Sequence, residues 1–156
     1  MTNTQPCVAL YQPDIPGNTG TILRTAACLE SPVHVIEPAG FRLDDKALQR
    51  SGMDYLERSK LQLHDDWDAF VNWISQTQKR LILLTTKSDQ SCMKHEFSPH
   101  DCLLFGRESA GVPEHVHQHC PMRLTIPMQD HARSLNLAVS VGMVMALAQA
   151  QMVRSM

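Results

Sequence analysis

Short apolar runs recur along the chain, separated by longer segments in which apolar residues recur at helical spacing. An apolar run of four or five residues bounded by turn residues such as proline and glycine is typical of a strand buried in a sheet. On this basis we predict strands at residues 7–11, 33–36, 61–63, 81–84, 102–105 and 124–126.

The segments between these runs carry helix signals. The clearest one follows Asp65, where Trp67, Phe70, Val71 and Ile74 fall on one helical face. We predict helices that begin at Asn18 or Thr19, Asp44, Asp65, Pro113 and Ser134, the first ending near Leu29 and the last near Met152. The core face of the first helix is predicted to contain Ile22, Leu23, Ala26 and Ala27, and residues 87–101 are predicted to form a loop.

Strands that alternate with helices predict an α/β fold with a mainly parallel sheet and helices on both of its faces. The length of 156 residues is that of an ordinary domain, and the chain shows no internal repeat, low-complexity tract or linker. We therefore predict a single domain that spans residues 1–156.

The last predicted helix is apolar on nearly every side. Between Leu135 and Ala148 only Asn136 and Ser140 are clearly polar. Such a helix must be covered on more than one side. We infer that a second copy of the chain covers part of it, with a central helix in a monomer as the alternative. The apolar stretch 137–150 is too short to span a bilayer, so no membrane partner is expected.

Composition narrows the class of protein. A net charge of −2 argues mildly against a protein that coats nucleic acid but permits an enzyme that holds one small RNA loop. The aromatic fraction of 5% argues against a large base-stacking platform. Five cysteines without a C-x-x-C pair, and an amino-terminal stretch without a secretory signal, predict free thiols and a cytoplasmic location.

Three segments place glycine, polar and charged residues directly after predicted strands, where ligands bind in open α/β sheets. They are PGNTGTILR at 16–24, LLFGRESAGVPE at 103–114 and TIPMQDHARSLNLAVSVGM at 125–143. Neither G-x-G-x-x-G nor G-x-x-x-x-G-K-[ST] occurs in the chain, so the usual dinucleotide and nucleoside triphosphate fingerprints are absent.

Each segment also has a plain structural interpretation. Arg24 fits a solvated position on a capped helix, Asn136 fits a local hydrogen bond, and Arg107 with Glu108 fits an ordinary surface ion pair. His115 and His119 have a spacing that can bind zinc, but no second ligand motif accompanies them. We therefore predict no metal.

In this order and spacing, the three segments resemble the signature motifs of the SPOUT-class RNA 2′-O-ribose methyltransferases. The first motif, N-x-G-x-x-x-R, is carried by Asn18, Gly20 and Arg24, the second is FGRESAGVPE, and the third is IPM followed by SLNL. The stretches LYQPDIPGNTG, IEPAGFRLDDKALQRSGMDY and LTTK resemble the minimal subgroup that methylates the ribose of the wobble nucleotide, position 34 of tRNA.

The resemblance implies a C-terminal trefoil knot and a homodimer through the C-terminal helix, with the active site at the interface. It also implies S-adenosylmethionine as the methyl donor, S-adenosylhomocysteine as the product and a tRNA anticodon stem-loop as the substrate. The positions that match the cofactor site of the family are Leu84, Thr85, Gly106, Ile126, Met128, Ser134 and Leu135.

The resemblance assigns catalysis to Arg24, with Asn18 and Glu108 holding it and with Ser134 and Asn136 shaping the site. Because a guanidinium is a poor base, we expect Arg24 to clamp a phosphate and stabilise the developing oxyanion. Residues 42–60 hold five basic and four acidic side chains, which suit a solvated mixed face as well as an RNA contact.

Three alternatives to this function remain open. One is a methyltransferase for another tRNA or rRNA ribose, one is a non-catalytic knotted RNA-binding protein, and one is a different α/β nucleotide-binding module.

Overall fold

Strands and helices alternate along the part of the chain that the computed structural model describes, which is residues 5–42, 46, 50 and 60–156. The elements are β1 (Cys7–Tyr11), α1 (Pro16–Cys28), β2 (Val33–Ile36), β3 (Leu61–His64), α2 (Trp67–Thr77), β4 (Arg80–Leu84), a 3₁₀ turn (Cys92–Lys94), β5 (Asp101–Phe105), α3 (Glu114–His119), β6 (Met122–Leu124) and α4 (Leu137–Arg154). The helix predicted from Asp44 lies outside the described residues.

All described strands belong to one six-stranded sheet in the order β3-β2-β1-β5-β4-β6, and every pairing is parallel. On one face α1 and α4 cover a core that includes Val8, Leu103 and Val144. On the other face α2 and α3 cover a second core around Phe70 and Leu104. The predicted parallel α/β fold with helices on both faces is confirmed.

The described helices begin at other residues than predicted, and α1 and α2 are the first two examples. α1 begins at Pro16, and its N-cap residue Ile15 makes no side-chain capping bond. Proline is well suited to this position, because its fixed φ fits the first turn and its missing N–H would have no helical partner there. α2 is capped by Asp66 rather than Asp65, since the Asp66 carboxylate accepts a hydrogen bond from Ala69 N at 2.8 Å.

The C-terminal third also departs from the predicted bounds. β6 ends at Leu124 rather than at Ile126, because Thr125 leaves the sheet and forms a bridge with Ser91. α4 is capped by Asn136, whose side-chain oxygen accepts from Val139 N, so Ser134 precedes the helix instead of opening it. Pro113 is the N-cap of α3 rather than its first residue.

The segment after β6 runs close to the segment after β4. Thr125 N donates to Gln90 O at 2.8 Å, Cys92 N donates to Thr125 O at 2.9 Å, and Thr85 N donates to Leu124 O at 2.9 Å. The predicted loop at 87–101 is thereby tied to the C-terminal part of the chain and contains the 3₁₀ turn. The trefoil knot itself stays a prediction.

α4 presents apolar side chains on two sides. Val141, Val144, Met145 and Ala148 are buried in the core, while Val139 is 52% exposed. The helix extends to Arg154. Its 18 residues have a mean hydropathy of 1.4, and 22% of them are buried. By length and composition alone, the helix could cross a membrane. The prediction that this helix is too short to span a bilayer was therefore wrong. Core helices of soluble proteins can have the same length and composition.

The cysteines are all free, as predicted.

Candidate functional site

A cavity of about 470 Å³ lies at the carboxyl ends of the central strands. Leu84 at the end of β4 and Gly106 directly after β5 contribute two of its walls, and Ile126 contributes a third just beyond β6. Strand ends of a parallel sheet meet at one edge, and this edge is where α/β folds bind ligands.

The structure brings most of the predicted site residues to this cavity. Every residue that the resemblance matched to the cofactor site lines it, namely Leu84, Thr85, Gly106, Ile126, Met128, Ser134 and Leu135. Of the predicted catalytic residues, Asn18, Glu108, Ser134 and Asn136 also line it, whereas Arg24 is exposed on α1 and is not among the lining residues. Their roles stay predictions, because position alone does not establish them.

Glu108 binds the start of α1. Its carboxylate accepts from Asp14 N at 2.7 Å, from Ile15 N at 3.3 Å and from the Asn18 side-chain amide at 3.4 Å. A carboxylate at this end of a helix satisfies backbone N–H groups and interacts favourably with the helix dipole. Glu108, in the loop after β5, therefore provides the hydrogen-bond acceptor that the side chain of the N-cap residue Ile15 lacks.

Asp14 makes the reciprocal contact. Its carboxylate accepts from Arg107 Nη2 at 2.7 Å, from Ser109 N at 3.1 Å and from the Ser109 hydroxyl. The hydrogen bonds from Arg107 and then from Ser109 lower the pKa of Asp14 to about 2. The interpretation of Arg107 and Glu108 as a surface pair is wrong, because each side chain instead binds the segment that precedes α1.

Asp14 was not among the site residues predicted from the sequence. The sequence feature that could have indicated it is an acidic side chain two residues before the proline that begins a helix, within the turn-rich stretch QPDIPG. Only the pairing of β1 with β5 places this turn beside the loop that follows β5.

Asn18 and Asn136 connect α1 to α4. The Asn136 amide nitrogen donates to Asn18 Oδ1 at 3.1 Å, while its side-chain oxygen caps α4. The local hydrogen bond weighed for Asn136 is thus present, together with a contact to a residue 118 positions away. Asn18, Glu108 and Asn136 form a hydrogen-bonded series that joins the three sequence motifs.

Close backbone packing shapes the loop between β5 and α3. Arg107 and Gly111 exchange backbone hydrogen bonds of 3.1 and 2.9 Å. Gly111 has a φ of +64°, in the left-handed region that favours glycine. A Cβ on Gly106 would lie 2.6 Å from the carbonyl carbon of Gly111, so the loop requires glycine at 106 as well.

The cavity fits the adenosine part of S-adenosylmethionine. Leu84, Ile126 and Leu135 supply apolar surface for a flat neutral ring, and Thr85 and Ser134 add polar groups. Ligand sites are mostly apolar with a few polar groups and have volumes of roughly 300–1,000 Å³, a range that includes this cavity.

Comparison with known proteins establishes the family. The model of the SpoU rRNA methylase family matches residues 5–146. The chain belongs to this family.

Relatives within the SpoU family are similar over most of their length. The chain is 49% identical, over 92% of its length and 90% of the relative's, to the tRNA (cytidine(34)-2′-O)-methyltransferase of Beijerinckia indica. It is 40% identical to the enzyme of the same name from Burkholderia ambifaria, over 88% of this chain and 89% of the relative. The predicted resemblance to the SPOUT-class methyltransferases is confirmed.

Solved structures agree with this assignment. One, from work on 2′-OH methylation of C/U34 on tRNA, superposes with a TM-score of 0.91 at 40% identity and covers 96% of this chain and 97% of its own. The SpoU methyltransferase AviRb from Streptomyces viridochromogenes, in complex with AdoMet, superposes with a TM-score of 0.90 at 23% identity, covering 99% of this chain and 63% of its own. The second likeness shows the fold alone.

One histidine of the stretch 115–119 contacts an aromatic side chain. The ring of His119 meets Trp67 edge-on, with the ring centroids 5.5 Å apart. Within the described ranges there is no group of three or more His, Cys, Asp or Glu residues that could hold a metal ion.

We expect Asp14→Asn to remove an acid-sensitive contribution to stability. Because the folded pKa of about 2 lies below the ordinary value of about 3.9, ionised Asp14 stabilises the fold above about pH 4, and this stabilisation is lost as the pH falls from about 4 to 2. Denaturant unfolding at pH 7, 4, 3 and 2 measures the difference between wild type and variant, which should shrink toward pH 2. Asp130→Asn, at an exposed position, is the matched control. A difference for Asp14→Asn that stays constant from pH 7 to pH 2 would contradict the assignment.

Proposed function

We propose that this chain transfers a methyl group from S-adenosylmethionine to the ribose 2′-hydroxyl of nucleotide 34 of tRNA. The observation that carries the proposal is the hydrogen-bonded series Asn18, Glu108 and Asn136, which unites three motifs distant in sequence beside one cavity. The relatives that are named for this reaction support the choice of substrate.

S-adenosylmethionine, when bound, supplies a methyl group that is already activated by its positive sulfur. The protein has to orient the donor, align the ribose hydroxyl and help its proton to leave. We assign the first task to the backbone and side chains around Gly106 and Ile126. Asn18 and Asn136 hold α1 against α4 at the cavity, which keeps the groups that face the ribose in register.

Arg24 is assigned to the substrate side of the reaction. It is exposed on α1, outside the cavity assigned to the donor. A guanidinium has a planar fork that binds a phosphate through two hydrogen bonds. We assign to it the phosphate next to nucleotide 34 and the negative charge that develops on the ribose oxygen.

A homodimer through α4 belongs to the same proposal. Val139, Met143 and Val153 are 52%, 37% and 64% exposed on a helix whose opposite side is buried in the core. A second copy that packs on this side would cover them. Sedimentation equilibrium should give twice the monomer mass, and a monomeric mass at micromolar concentration would contradict the dimer.

A cytoplasmic location belongs to the same proposal, because tRNA is modified there.

The proposed function is tested by methyl transfer from labelled S-adenosylmethionine to total tRNA from cells that lack this protein. We expect label on the ribose of nucleotide 34. A synthetic anticodon stem-loop with a 2′-deoxynucleotide at position 34 is the matched control and should accept no label, because it lacks the acceptor oxygen.

Label on another ribose would retain the reaction and overturn the position. Absence of label from protein that binds S-adenosylmethionine would favour the non-catalytic RNA-binding alternative.

A further inference from the structure

Three consecutive side chains of the loop after β5 bind the turn that precedes α1. Arg107 and Ser109 donate hydrogen bonds to the Asp14 carboxylate. Glu108 accepts hydrogen bonds from Asp14 N and Ile15 N. We call this set of contacts the clasp. The bonded residues lie 93 to 95 positions apart in the sequence, so the clasp forms only when the sheet brings the two segments together.

The same loop forms a wall of the cavity assigned to the methyl donor, which we call the donor cavity. Gly106, Arg107, Glu108 and Gly111 all line it. The loop has little room to shift, because Arg107 and Gly111 exchange two backbone hydrogen bonds and a Cβ on Gly106 would lie 2.6 Å from the Gly111 carbonyl carbon. A loop that lines the cavity and also binds the start of α1 fixes that start relative to the cavity.

A second segment also holds the turn at Asp14. Gly40, which follows β2, donates from its backbone N to Pro13 O at 2.8 Å. A Cβ on Gly40 would lie 3.2 Å from the Cα of Asp14, which is closer than an ordinary van der Waals contact. The turn is therefore in close contact with two segments, and its place is set by both.

The rotation of α1 decides where Arg24 lies. Arg24 is on the exposed side of the helix, whereas Ile22, Leu23 and Ala26 are buried in the core. Apolar contacts have no direction, so they hold the helix on the sheet but fix its rotation less sharply than hydrogen bonds do. The end of a side chain lies about 6 Å from the helix axis, so a rotation of about 10° moves it by about 1 Å. A misplacement of about 1 Å can lower a rate by about 100-fold.

We propose that Asp14 is a positioning residue for methyl transfer, which acts through Arg107 and Ser109 to fix the rotation of α1 and with it the place of Arg24. This inference rests on the proposed function. Asp14 is not among the residues that line the donor cavity. Its effect is therefore on the rate of transfer and not on the binding of the donor.

Single-turnover methylation of the anticodon stem-loop by Asp14→Asn, with both substrates saturating, tests the positioning role. We expect a rate about 10-fold to 100-fold below wild type. The affinity for S-adenosylmethionine should not change, because Glu108 and the backbone of the loop still form the cavity wall. Ser109→Ala removes only the hydroxyl donor to Asp14 and should give a smaller loss of rate. It replaces Asp14→Asn in every measurement if that variant does not fold.

Variants of Arg107 show whether Asp14 acts through this partner. Arg107→Met should lower the rate as Asp14→Asn does, and the double variant should be no slower than either single one. Arg107→Lys should recover most of the rate, because both bonds from Arg107 go to one oxygen, Asp14 Oδ1, and one ammonium can replace them. Additive losses, or a lysine variant as slow as the methionine one, would contradict the proposed route.

The matched control weakens a comparable ion pair far from the site. Arg80 Nε lies 2.6 Å from Asp101 Oδ1, at the start of β4 and thus at the opposite edge of the sheet from the donor cavity. Arg80→Lys should lose stability and keep the wild-type rate. A rate that falls with stability in this control as well would show that loss of stability alone slows the enzyme, which overturns the positioning role.

The orientation of α1 gives a readout that does not depend on the reaction. Residual dipolar couplings of the backbone amides of α1 and β1, measured without substrates, should show a rotation of α1 on the order of 10° in Asp14→Asn and none in Arg80→Lys. An unchanged orientation, or a wild-type rate in folded Asp14→Asn, would overturn the inference while the proposed function stands. If the wild type methylates no stem-loop, the proposed function fails, and the couplings alone decide whether the clasp positions α1.

Discussion

Replacing Gly106 with alanine is expected to abolish measurable binding of S-adenosylmethionine and to lower the free energy of unfolding by about 2–3 kcal/mol. The added methyl carbon would lie 2.6 Å from the Gly111 carbonyl carbon and 2.7 Å from its Cα, and both are backbone atoms. This steric clash can be relieved only if the loop 106–111 moves. This movement would break the exchange of hydrogen bonds between Arg107 and Gly111 and deform one wall of the donor cavity.

Two other glycines provide matched controls. A Cβ at Gly142, within α4, would meet nothing within 4 Å, so Gly142→Ala should keep or raise stability by up to about 1 kcal/mol. Gly111 also has open space but a φ of +64°, so Gly111→Ala should cost only about 1 kcal/mol through backbone strain. Thermal unfolding and calorimetric binding measure both effects. A Gly106→Ala protein that binds the donor as wild type does would contradict the proposed packing of the loop.

The strands could be predicted because their burial is simple. β1 and β5 are buried over their whole length, and a segment buried on both faces is mostly apolar, as in β1 and in residues 102–105 of β5. Alternation with helices then implies parallel pairing. The pattern does not encode strand order, and this order is what places the turn before α1 beside the loop after β5.

The helix starts were predicted less well for a related reason. Local capping signals assign caps to residues next to the helix, and this failed at α1, where the carboxylate comes from Glu108, more than 90 positions later. Once Glu108 supplies the cap, Asn18 is available for other contacts, and it lines the cavity and accepts a hydrogen bond from Asn136.

The site itself could be predicted from the order of three motifs, but its connections could not. The resemblance indicated Asn18, Glu108 and Asn136 as a set. The bonds of Asp14 to Arg107 and Ser109 depend on atomic positions that no residue pattern specifies.

Arg24→Lys is expected to lower kcat by about 100-fold to 1,000-fold, the range found when one donor to a developing oxyanion is removed. Lysine keeps the positive charge but has no planar fork, so it cannot hold a phosphate and the ribose oxygen together. Because Arg24 is exposed and does not line the donor cavity, the affinity for S-adenosylmethionine should stay at the wild-type value. Single-turnover methylation of the stem-loop gives the rate directly.

The pH dependence of the same variant decides between a clamp and a base. Lysine releases its proton more readily than arginine, so if this side chain removed the ribose proton, the lysine enzyme would overtake the wild type as the pH rises. A clamp that acts through its geometry leaves the lysine enzyme slower at every pH. Arg154→Lys, at an exposed position near the end of α4, should behave as wild type and controls for the loss of a guanidinium as such. A full rate for Arg24→Lys at neutral pH would contradict both the clamp and the base, because neither role allows lysine to replace arginine without a change in rate.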